Sequence, residues 1–412
     1  MRARRPRSQV KNAGETPAPA CPAGIRPVAA NETAPGYGRN HSVLIRRRLR
    51  LSLIPAHSTT TIGCMAREKE ERLHLPGMTL DEIEDACVAL GRPAFRGRQI
   101  AGWLYNKLVA DFSGMRNLPA DFRAQAARRM DVRRAEVEET HKAADDTTRL
   151  LLRLHDGKHI ETVLIPDGKR LTCCISSQVG CSMGCIFCAS GLAGLERNLG
   201  AGEIVEQVLH AARAAEGRIT HIVVMGIGEP LANYRAVVRA IRILNAPWGL
   251  NIAARRITLS TVGIPAAIER LANEDLQINL AISLHAPNDR IRNQIVPANR
   301  TTGIDRILHA ARHYYAKTGR EITIEYALIA GMNDGAAAAE ELTRRLRDFP
   351  CTVNVIPFNP VAELGLRPPA QQDVREFVDV LRRRGINATL RRRRGVEIEA
   401  ACGQLRASRN RS

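Results

Sequence analysis

The stretch Leu171-Thr-Cys-Cys-Ile-Ser-Ser-Gln-Val-Gly-Cys181-Ser-Met-Gly-Cys185-Ile-Phe-Cys188 combines a predicted buried strand with a tight group of cysteines. Residues 171–177 have the strand-like character, and the residues after them form a C-x3-C-x2-C pattern. Three thiolates so close in sequence suit three corners of a cubic iron–sulfur cluster. Because no fourth cysteine lies at a similar short spacing, one iron would remain open to a ligand that is not protein.

Spacing alone leaves other interpretations of these cysteines open. A zinc ion could be held by the triplet with Cys173 or Cys174 as a fourth ligand. An electron-carrying ferredoxin would need four cysteine ligands and no large α/β scaffold. Adjacent residues of a strand point to opposite faces, so only one of Cys173 and Cys174 faces any given site. The pattern therefore favours an open cluster without excluding zinc.

Strand-like and helix-like segments alternate from residue 171 onward. The predicted strands are 171–177, 220–226, 256–261, 278–284, 321–328 and 352–357, and the predicted helices are 203–215, 233–245, 264–273, 303–317, 336–347 and 371–384. Six β-then-α units predict a parallel sheet. An eight-unit barrel usually needs about 250 residues, so we predict an α/β fold with a partial (β/α)6 barrel. No Gly-x-Gly-x-x-Gly motif follows the first strand, which disfavours a Rossmann dinucleotide site.

The regions around the predicted barrel differ in character. We predict a leader at 1–64, an N-terminal accessory domain at 65–165, the barrel at 166–390 and a C-terminal segment at 391–412. The leader is rich in Pro, Ala, Arg and Ser, and it is predicted to be disordered or to precede a true start at Met65. In the accessory domain, Thr79 and Glu82 form a capping box for a helix, and strands at 148–154 and 159–166 flank an Asp-Gly turn.

The composition limits the class of protein and of partner. The chain has 412 residues, 44% of them hydrophobic, which permits a sizeable core and excludes wholesale disorder. No apolar run is long enough for a transmembrane helix. Lys and Arg number 61 against 42 Asp and Glu, and the resulting charge of +19 indicates a polyanionic partner such as nucleic acid. Bunched cysteines are typical of metal binding or catalysis in a reducing cytoplasm rather than of a disulfide framework.

Further motifs, in order along the chain, make the resemblance to one family specific. They are Cys174-Ile-Ser-Ser-Gln-Val-Gly-Cys181, Arg197-Asn-Leu, Met225-Gly-Ile-Gly-Glu-Pro230, Thr258-Leu-Ser-Thr, Ser283-Leu-His-Ala-Pro-Asn-Asp, Asn354-Val-Ile-Pro-Phe-Asn-Pro360 and Ala401-Cys-Gly-Gln-Leu405. With the cysteine triplet they resemble the radical S-adenosylmethionine (SAM) enzymes and, within them, the dual-specificity rRNA/tRNA adenine-C2 methyltransferases. The resemblance runs from about Thr79 to Leu405.

The resemblance implies two cofactors, a [4Fe-4S] cluster and SAM. In the family the cluster is held by residues that match Cys181, Cys185 and Cys188, and SAM binds its open iron. Adenine C2 and the SAM methyl group are both electrophilic, so polar transfer between them has no driving force. One-electron cleavage of SAM to a 5′-deoxyadenosyl radical, with the cofactors doing the difficult chemistry, avoids that problem.

The resemblance also implies roles for individual residues. Cys402 would be methylated by one SAM molecule to S-methylcysteine, which the radical from a second SAM activates for addition to adenine C2. Cys174 would resolve the protein–RNA adduct through a transient disulfide with Cys402, and Glu161 would accept a proton. The family's SAM contacts match Gly228, Glu229, Ser260, Ser283, Leu284, His285 and Asn359. These positions follow predicted strands, where a β/α barrel builds its active site, although each alone is typical of an ordinary turn or core residue.

The implied substrates are 23S rRNA at the peptidyl transferase centre and tRNA at the adenine next to the anticodon, in the cytoplasm, with a donor such as flavodoxin or ferredoxin supplying electrons. Basic residues suited to RNA phosphates are Arg92, Arg96, Arg98, Lys107, Arg123, Arg128, Arg129 and the run from Arg382 to Arg394, although such runs often only solvate a surface. Two alternatives stay open: a C8-methylating relative of the antibiotic-resistance type, and a non-catalytic zinc-stabilised RNA-binding protein.

Overall fold

The computed structural model describes residues 72–192 and 194–405. The predicted leader and Met65 lie outside these residues. The strands are β1 Leu73–His74, β2 Met130–Asp131, β3 Glu136–Lys142, β4 Thr148–Arg153, β5 His159–Asp167, β6 Arg170–Cys174, β7 Gln178–Gly180, β8 Leu195–Asn198, β9 His221–Val224, β10 Ile257–Thr261, β11 Asn279–Ser283, β12 Ile322–Leu328, β13 Cys351–Pro357 and β14 Asn387–Leu390.

The α-helices fall mostly between the strands of the main sheet. They are α1 Leu80–Ala89, α2 Phe95–Ala101, α3 Ala120–Arg129, α4 Ala201–Ala214, α5 Tyr234–Asn245, α6 Pro265–Leu271, α7 Asp289–Ile295, α8 Ile304–Thr318, α9 Ala336–Leu346 and α10 Gln371–Arg383. None of the described helices combines the length and the apolar character needed to cross a bilayer.

One sheet of ten strands organises the fold, in the order β14-β13-β12-β11-β10-β9-β6-β5-β4-β3. From β6 to β14 all neighbouring strands are parallel, and helices α4, α5, α6, α8, α9 and α10 lie on the connections between them. The six predicted strand–helix units of the partial barrel are therefore confirmed. A seventh parallel strand, β14, follows the sixth unit.

The hairpin predicted before the barrel forms as β4 and β5, paired antiparallel. It extends the barrel sheet, because β5 pairs with the first barrel strand β6 and β3 is added beyond β4. The sequence gives little sign of β3, since its residues Glu136–Lys142 are mostly charged and exposed. The strands thus form one mixed sheet, parallel in the barrel and antiparallel at the hairpin end.

The accessory helices are stabilised by capping and by contacts with the barrel. Thr79 caps α1: its side chain accepts from the Glu82 amide at 3.3 Å, and the Glu82 carboxylate accepts from the Thr79 amide at 2.8 Å. On α4, the fully buried Glu206 carboxylate accepts from the backbone amides of Arg134 and Ala135 at 2.8 and 3.0 Å. This carboxylate therefore fixes the end of the accessory segment to a barrel helix.

Candidate active site

A cavity opens at the carboxyl ends of the parallel strands, the edge at which β/α barrels bind ligands. Ten of the thirteen residues that the sequence predicted for the site line it: Cys181, Cys185, Cys188, Gly228, Glu229, Ser260, Ser283, His285, Asn359 and Cys402. Cys402 comes from the C-terminal segment, over two hundred residues from the triplet in sequence. Three predicted residues, Cys174, Glu161 and Leu284, are not among those lining it.

The three-cysteine loop connects β7 to β8 and lines the cavity. The Cys181 amide donates to the Gly194 carbonyl at 2.8 Å, and the Ile186 amide donates to the Ile295 carbonyl at 3.0 Å. Burial raises the pKa of all three thiols, so their deprotonation requires a positively charged partner such as iron. In the described residues, no three His, Cys, Asp or Glu side chains converge closely enough to hold one metal ion. Three thiols from one loop that line one cavity suit three corners of an iron–sulfur cluster.

The turn that follows β9 forms a second wall of the cavity and depends on glycine. Gly226 packs so closely that a Cβ atom there would lie 2.8 Å from the Ile175 carbonyl group. Beyond it, the buried Glu229 carboxylate accepts from the Leu231 amide at 2.9 Å and from the Val262 amide at 2.8 Å. Burial raises the pKa of Glu229, and these amides oppose the rise. Glu229 thus ties the turn to the end of the neighbouring strand β10.

We expect Gly228→Ala to destabilise the protein by at least about 1–3 kcal/mol, the usual cost of a strained backbone conformation. Gly228 has a φ of +106°, and an added Cβ would lie 2.6 Å from the Cβ atom of Gln178. Urea unfolding measures the effect. Gly217→Ala is the matched control, because a Cβ there meets no atom within 4 Å. Equal stability of the two variants would contradict the account of this turn.

Polar side chains from β10, β11 and the loop after β11 face the cavity. The hydroxyls of Ser260 and Ser283 are hydrogen-bonded at 3.1 Å. His285 has a φ of +59°, and its Nδ1 accepts from the Ala327 amide at 3.0 Å, so the ring proton lies on Nε2. Burial lowers the pKa of His285 to about 3, which makes it a neutral donor at physiological pH. Leu284, predicted with these residues, has a fully buried side chain in the main hydrophobic core.

Arg292 on α7 holds the ends of two of these strands together. It is 1% exposed and donates to the carbonyls of Leu284 at 2.9 Å and Ser283 at 3.0 Å, and also to the Val262 carbonyl. Burial lowers the pKa of Arg292 to about 10, so the guanidinium stays charged at neutral pH. Arg292 therefore stabilises the strand ends that carry the ligand-facing side chains, a role that the sequence did not reveal.

We expect Arg292→Leu to lower the free energy of unfolding by about 3 kcal/mol or more, because several buried carbonyls lose their donor at about 1–3 kcal/mol each. Chemical denaturation measures the loss. Arg290→Leu on the same helix is the control: Arg290 is exposed, and a surface substitution changes stability by no more than about 0.5 kcal/mol. A decrease in the free energy of unfolding as small for Arg292→Leu as for Arg290→Leu would refute the stabilising role of Arg292.

The C-terminal segment presents Cys402 to the cavity through backbone hydrogen bonds. The Ala189 amide of the cysteine loop donates to the Gly403 carbonyl at 2.7 Å, and the Ser190 hydroxyl donates to the Leu405 carbonyl at 2.7 Å. Asn359, which follows β13, donates through its side chain to the Cys402 carbonyl at 3.0 Å. The segment is thus clamped between the cysteine triplet and the end of β13, and the Cys402 thiol is partly exposed.

Cys174 contacts the C-terminal segment that carries Cys402, and it faces away from its neighbour Cys173. Cys174 packs in a small cluster with Ala400 and Leu405 of the C-terminal segment, whereas Cys173 is fully buried in the main core. Burial raises the pKa of Cys174 to about 12, the charge of Cys402 adds to the rise, and Arg391 opposes it. The two thiols are therefore electrostatically coupled, and both are free in the structure. Cys173 is thus part of the core packing.

Two charged residues of the cavity, Glu325 and Arg391, were not assigned to the site from sequence. Glu325 is 5% exposed on β12, and its carboxylate accepts from Asn354 Nδ2 at 2.8 Å and lies 4.0 Å from the Arg391 guanidinium. Burial raises the pKa of Glu325, and a Cys402 thiolate raises the pKa of Arg391. Arg391 thus places a positive charge near both Cys402 and Cys174, a proximity that only the structure reveals.

Glu161 occupies the middle of β5, where it is 2% exposed. Its carboxylate accepts from Arg149 at 2.9 Å. Val163, two residues along the strand and therefore on the same face, pairs with Cys174. Glu161 thus lies on the Cys174 face of the sheet.

Several of the basic residues predicted to contact RNA have hydrogen-bond or ion-pair partners within the fold. Arg92 and Arg98 are hydrogen-bonded to Asp121 and Glu84 inside the accessory domain. Lys107, Arg128 and Arg129 are exposed on that domain. In the C-terminal run, Arg382 donates to the Ala388 carbonyl, Arg384 pairs with Glu340, Arg393 donates to the Phe358 carbonyl and Arg394 pairs with Asp167. Many of these basic side chains therefore form hydrogen bonds or ion pairs within the protein.

The partial barrel, the three-cysteine loop and the cavity beneath it define a radical SAM enzyme. The family model described as the Radical SAM superfamily matches residues 175–342. The model of the ribosomal RNA large subunit methyltransferase N-terminal domain matches residues 73–132, which contain α1 to α3.

Relatives identify the family. The chain is 46% identical to the probable dual-specificity RNA methyltransferase RlmN of Rhodopirellula baltica, over 82% of this chain and 91% of the relative. It is 48% identical to the protein of that name from Symbiobacterium thermophilum, over 81% and 91%. A crystal structure of a radical SAM methyltransferase from Sphaerobacter thermophilus matches with a TM-score of 0.80 and 47% identity, over 81% of this chain and 99% of that chain. The chain belongs to the RlmN family of dual-specificity RNA methyltransferases.

Family membership settles the enzyme class and the cofactors. The chain is a methyltransferase, and its cofactors are a [4Fe-4S] cluster and SAM. The residues present fit both: three half-buried cysteines line the cavity, and the Asn359 Oδ1 atom is buried with no hydrogen-bond partner in the described residues. The zinc interpretation is therefore set aside.

Proposed function

We propose that this chain methylates C2 of adenine in 23S rRNA at the peptidyl transferase centre and in tRNA at the adenine next to the anticodon. The observation that carries the proposal is that Cys402 lines the three-cysteine cavity, while Cys174, distant in sequence, packs with Ala400 and Leu405 of the segment that carries Cys402. RNA as substrate is supported by the names of the relatives and by the matching N-terminal domain.

We assign the cofactor contacts to residues that line the cavity. Cys181, Cys185 and Cys188 would hold the cluster, and SAM would contact Gly228, Glu229, Ser260, Ser283, His285 and Asn359. Leu284 would contribute only through its backbone, since its side chain points into the core. When bound, the cluster and SAM supply a transferable methyl group and, after one-electron reduction, a radical that abstracts hydrogen.

The protein's own thiols then carry and release the carbon. The Cys402 sulfur accepts the methyl group and, after loss of one hydrogen, presents the carbon to adenine C2. After addition to C2, the adduct would lose the C2 proton and one electron, which the cluster can take back. The Cys174 thiolate then attacks the Cys402 sulfur and breaks the sulfur–carbon bond; the electron pair of that bond stays with the carbon, which takes up a proton to become the methyl group on adenine. The transient Cys174–Cys402 disulfide that forms is reopened by two electrons from the external donor. Arg391 favours the thiolate that this attack needs, because burial otherwise keeps Cys174 protonated.

Loss of the C2 proton requires a base, and we assign it to Glu161. Its carboxylate is screened from water on the Cys174 face of the sheet. The Arg149 side chain, hydrogen-bonded to Glu161, holds the carboxylate in place. A proton accepted there would leave the reaction without meeting bulk solvent.

The remaining assignments concern organisation and partners. We propose that residues 65–165 bind RNA, that 166–390 form the catalytic core, and that 391–412 deliver the carrier cysteine. The reaction needs an external electron, which a flavodoxin or ferredoxin in the cytoplasm would supply. The target base must leave its stack to reach the cavity, as in base flipping.

Nucleoside mass spectrometry tests the proposed position of the methyl group. Anaerobically reconstituted protein with SAM, reductant and either RNA is expected to yield 2-methyladenosine. Formation of 8-methyladenosine instead would support the C8-specific alternative, which uses the same cysteines. No methylated adenosine with either RNA would refute both.

A further inference from the structure

The Asn359 side chain lines the cavity and is also hydrogen-bonded to the backbone of Cys402. It follows β13, is 4% exposed and lines the cavity. Its Nδ2 atom donates to the Cys402 carbonyl at 3.0 Å. Because that carbonyl can only accept, the amide orientation is fixed, and Oδ1 must be the atom that remains.

The Oδ1 atom of Asn359 is buried and has no hydrogen-bond partner in the described residues. Nearly all buried amide oxygens in folded proteins accept a hydrogen bond, so one without a partner beside a cavity points to a ligand. The missing partner must be a donor, since Oδ1 can only accept. Adenosyl ligands carry such donors in the amino group of adenine and the hydroxyls of ribose.

Other contacts of the Cys402 loop, defined here as residues 401–405, do not couple the ligand to Cys402 in this way. Gln404 Nε2 donates to the Pro360 carbonyl at 2.9 Å but does not line the cavity. Ser190 lines the cavity but bonds to Leu405, three residues beyond the carrier. Asn359 therefore offers a direct link from ligand to carrier residue.

We propose that Asn359 couples occupancy of the cavity by an adenosyl ligand to the placement of the Cys402 loop. A ligand donor that pairs with Oδ1 fixes the plane of the amide, and the same planar group then holds the Cys402 carbonyl through Nδ2. The inference rests on the proposed function, because it takes SAM as the cavity's ligand and Cys402 as the carrier.

The coupling gives the Cys402 loop two states, one with the ligand bound and one without it. With the ligand bound, the Cys402 sulfur is held at the cavity, where it accepts a methyl group or yields a hydrogen. When the ligand leaves, one clamp weakens and the loop opens more often, which admits the next ligand. Thermodynamic linkage makes the effect mutual, so a closed loop also strengthens ligand binding.

Alkylation of Cys402 by iodoacetamide, read by peptide mass spectrometry, measures how often the loop opens. The probe ligand is S-adenosylhomocysteine, which has no transferable methyl group and so leaves Cys402 a free thiol. In the cluster-loaded wild type, saturating probe is expected to slow alkylation about fivefold or more, the lower end of typical couplings.

Asn359→Asp keeps an acceptor at Oδ1 but removes the Nδ2 donor. We expect it to bind the probe, measured by calorimetry, and to lose most of the ligand-dependent protection. Asn359→Ser, which is too short for the bond to Cys402 and adds no charge, is expected to lose the protection too. Gln404→Leu is the matched control: alkylation without ligand becomes faster, but the protection ratio stays as in the wild type.

The outcomes separate this inference from the function on which it rests. Full protection in either Asn359 variant that binds the probe would mean that the ligand merely shields the thiol, and would overturn the coupling. Loss of the ratio in Gln404→Leu as well would assign the effect to general loosening of the loop, and would also overturn it. Failure of the wild type to bind the probe would instead count against the proposed function.

Discussion

Cys402→Ala is expected to lower RNA methylation by about three orders of magnitude or more, the scale seen when a covalent catalyst loses its reacting atom. Cys402 is the cysteine that the C-terminal segment presents to the cavity, and the other three cysteines that line it are the proposed ligands of the cluster. The change removes a partly exposed side chain, so the fold should be unaffected. Methylated adenosine is measured after digestion of RNA from anaerobic reactions.

The control for this prediction is Cys351→Ala. Cys351 is buried at the start of β13, and its loss should change stability without ending methylation. Cleavage of SAM to 5′-deoxyadenosine by the Cys402 variant would show that the cluster and cofactor sites remain intact. Methylation by Cys402→Ala at more than a tenth of the wild-type rate would refute its role as carrier.

Cys174→Ala is expected to trap a covalent protein–RNA adduct through Cys402 and to end catalysis after less than one turnover. Without the second thiol, nothing attacks the Cys402 sulfur, so the carbon stays bonded to both protein and base. A band of higher mass on a denaturing gel, sensitive to ribonuclease, measures the adduct. The adduct must disappear in the double variant with Cys402→Ala.

Cys173→Ala provides a matched control one residue away. Cys173 faces the main core, so its replacement should lower stability by about 1 kcal/mol and leave methylation and release unchanged. Adduct in both variants would mean that damage to β6, rather than loss of one thiol, blocks release. Absence of adduct from Cys174→Ala with normal cluster content would contradict the resolving role.

The sequence predicted the elements whose apolar pattern repeats, because burial on one face leaves a visible period. Six barrel strands, their helices and the Thr79 capping box follow the predicted positions. Strands β3 and β14 lie at the two edges of the sheet, where polar residues are tolerated and the alternation fades. The extension of the barrel by the hairpin was also hidden, since strand pairing depends on partners far along the chain.

The site residues likewise divide into those that the sequence predicted and those that only the structure revealed. Ten residues were placed by motif, but Glu325, Arg391 and Arg292 act through neighbours brought together only by folding. A lone buried arginine or glutamate looks in sequence like any surface charge. The run Arg391-Arg-Arg-Arg394 was considered for RNA contact, whereas its first member lines the cavity.

The origin of the transferred carbon tests the central claim most directly. Protein whose Cys402 has been methylated with ¹³C-methyl SAM is freed of that SAM, then given unlabelled SAM, reductant and RNA for one turnover. The new methyl carbon on adenine C2 is expected to be ¹³C, because it comes from Cys402. An unlabelled carbon at that position would show direct transfer from SAM and contradict the account.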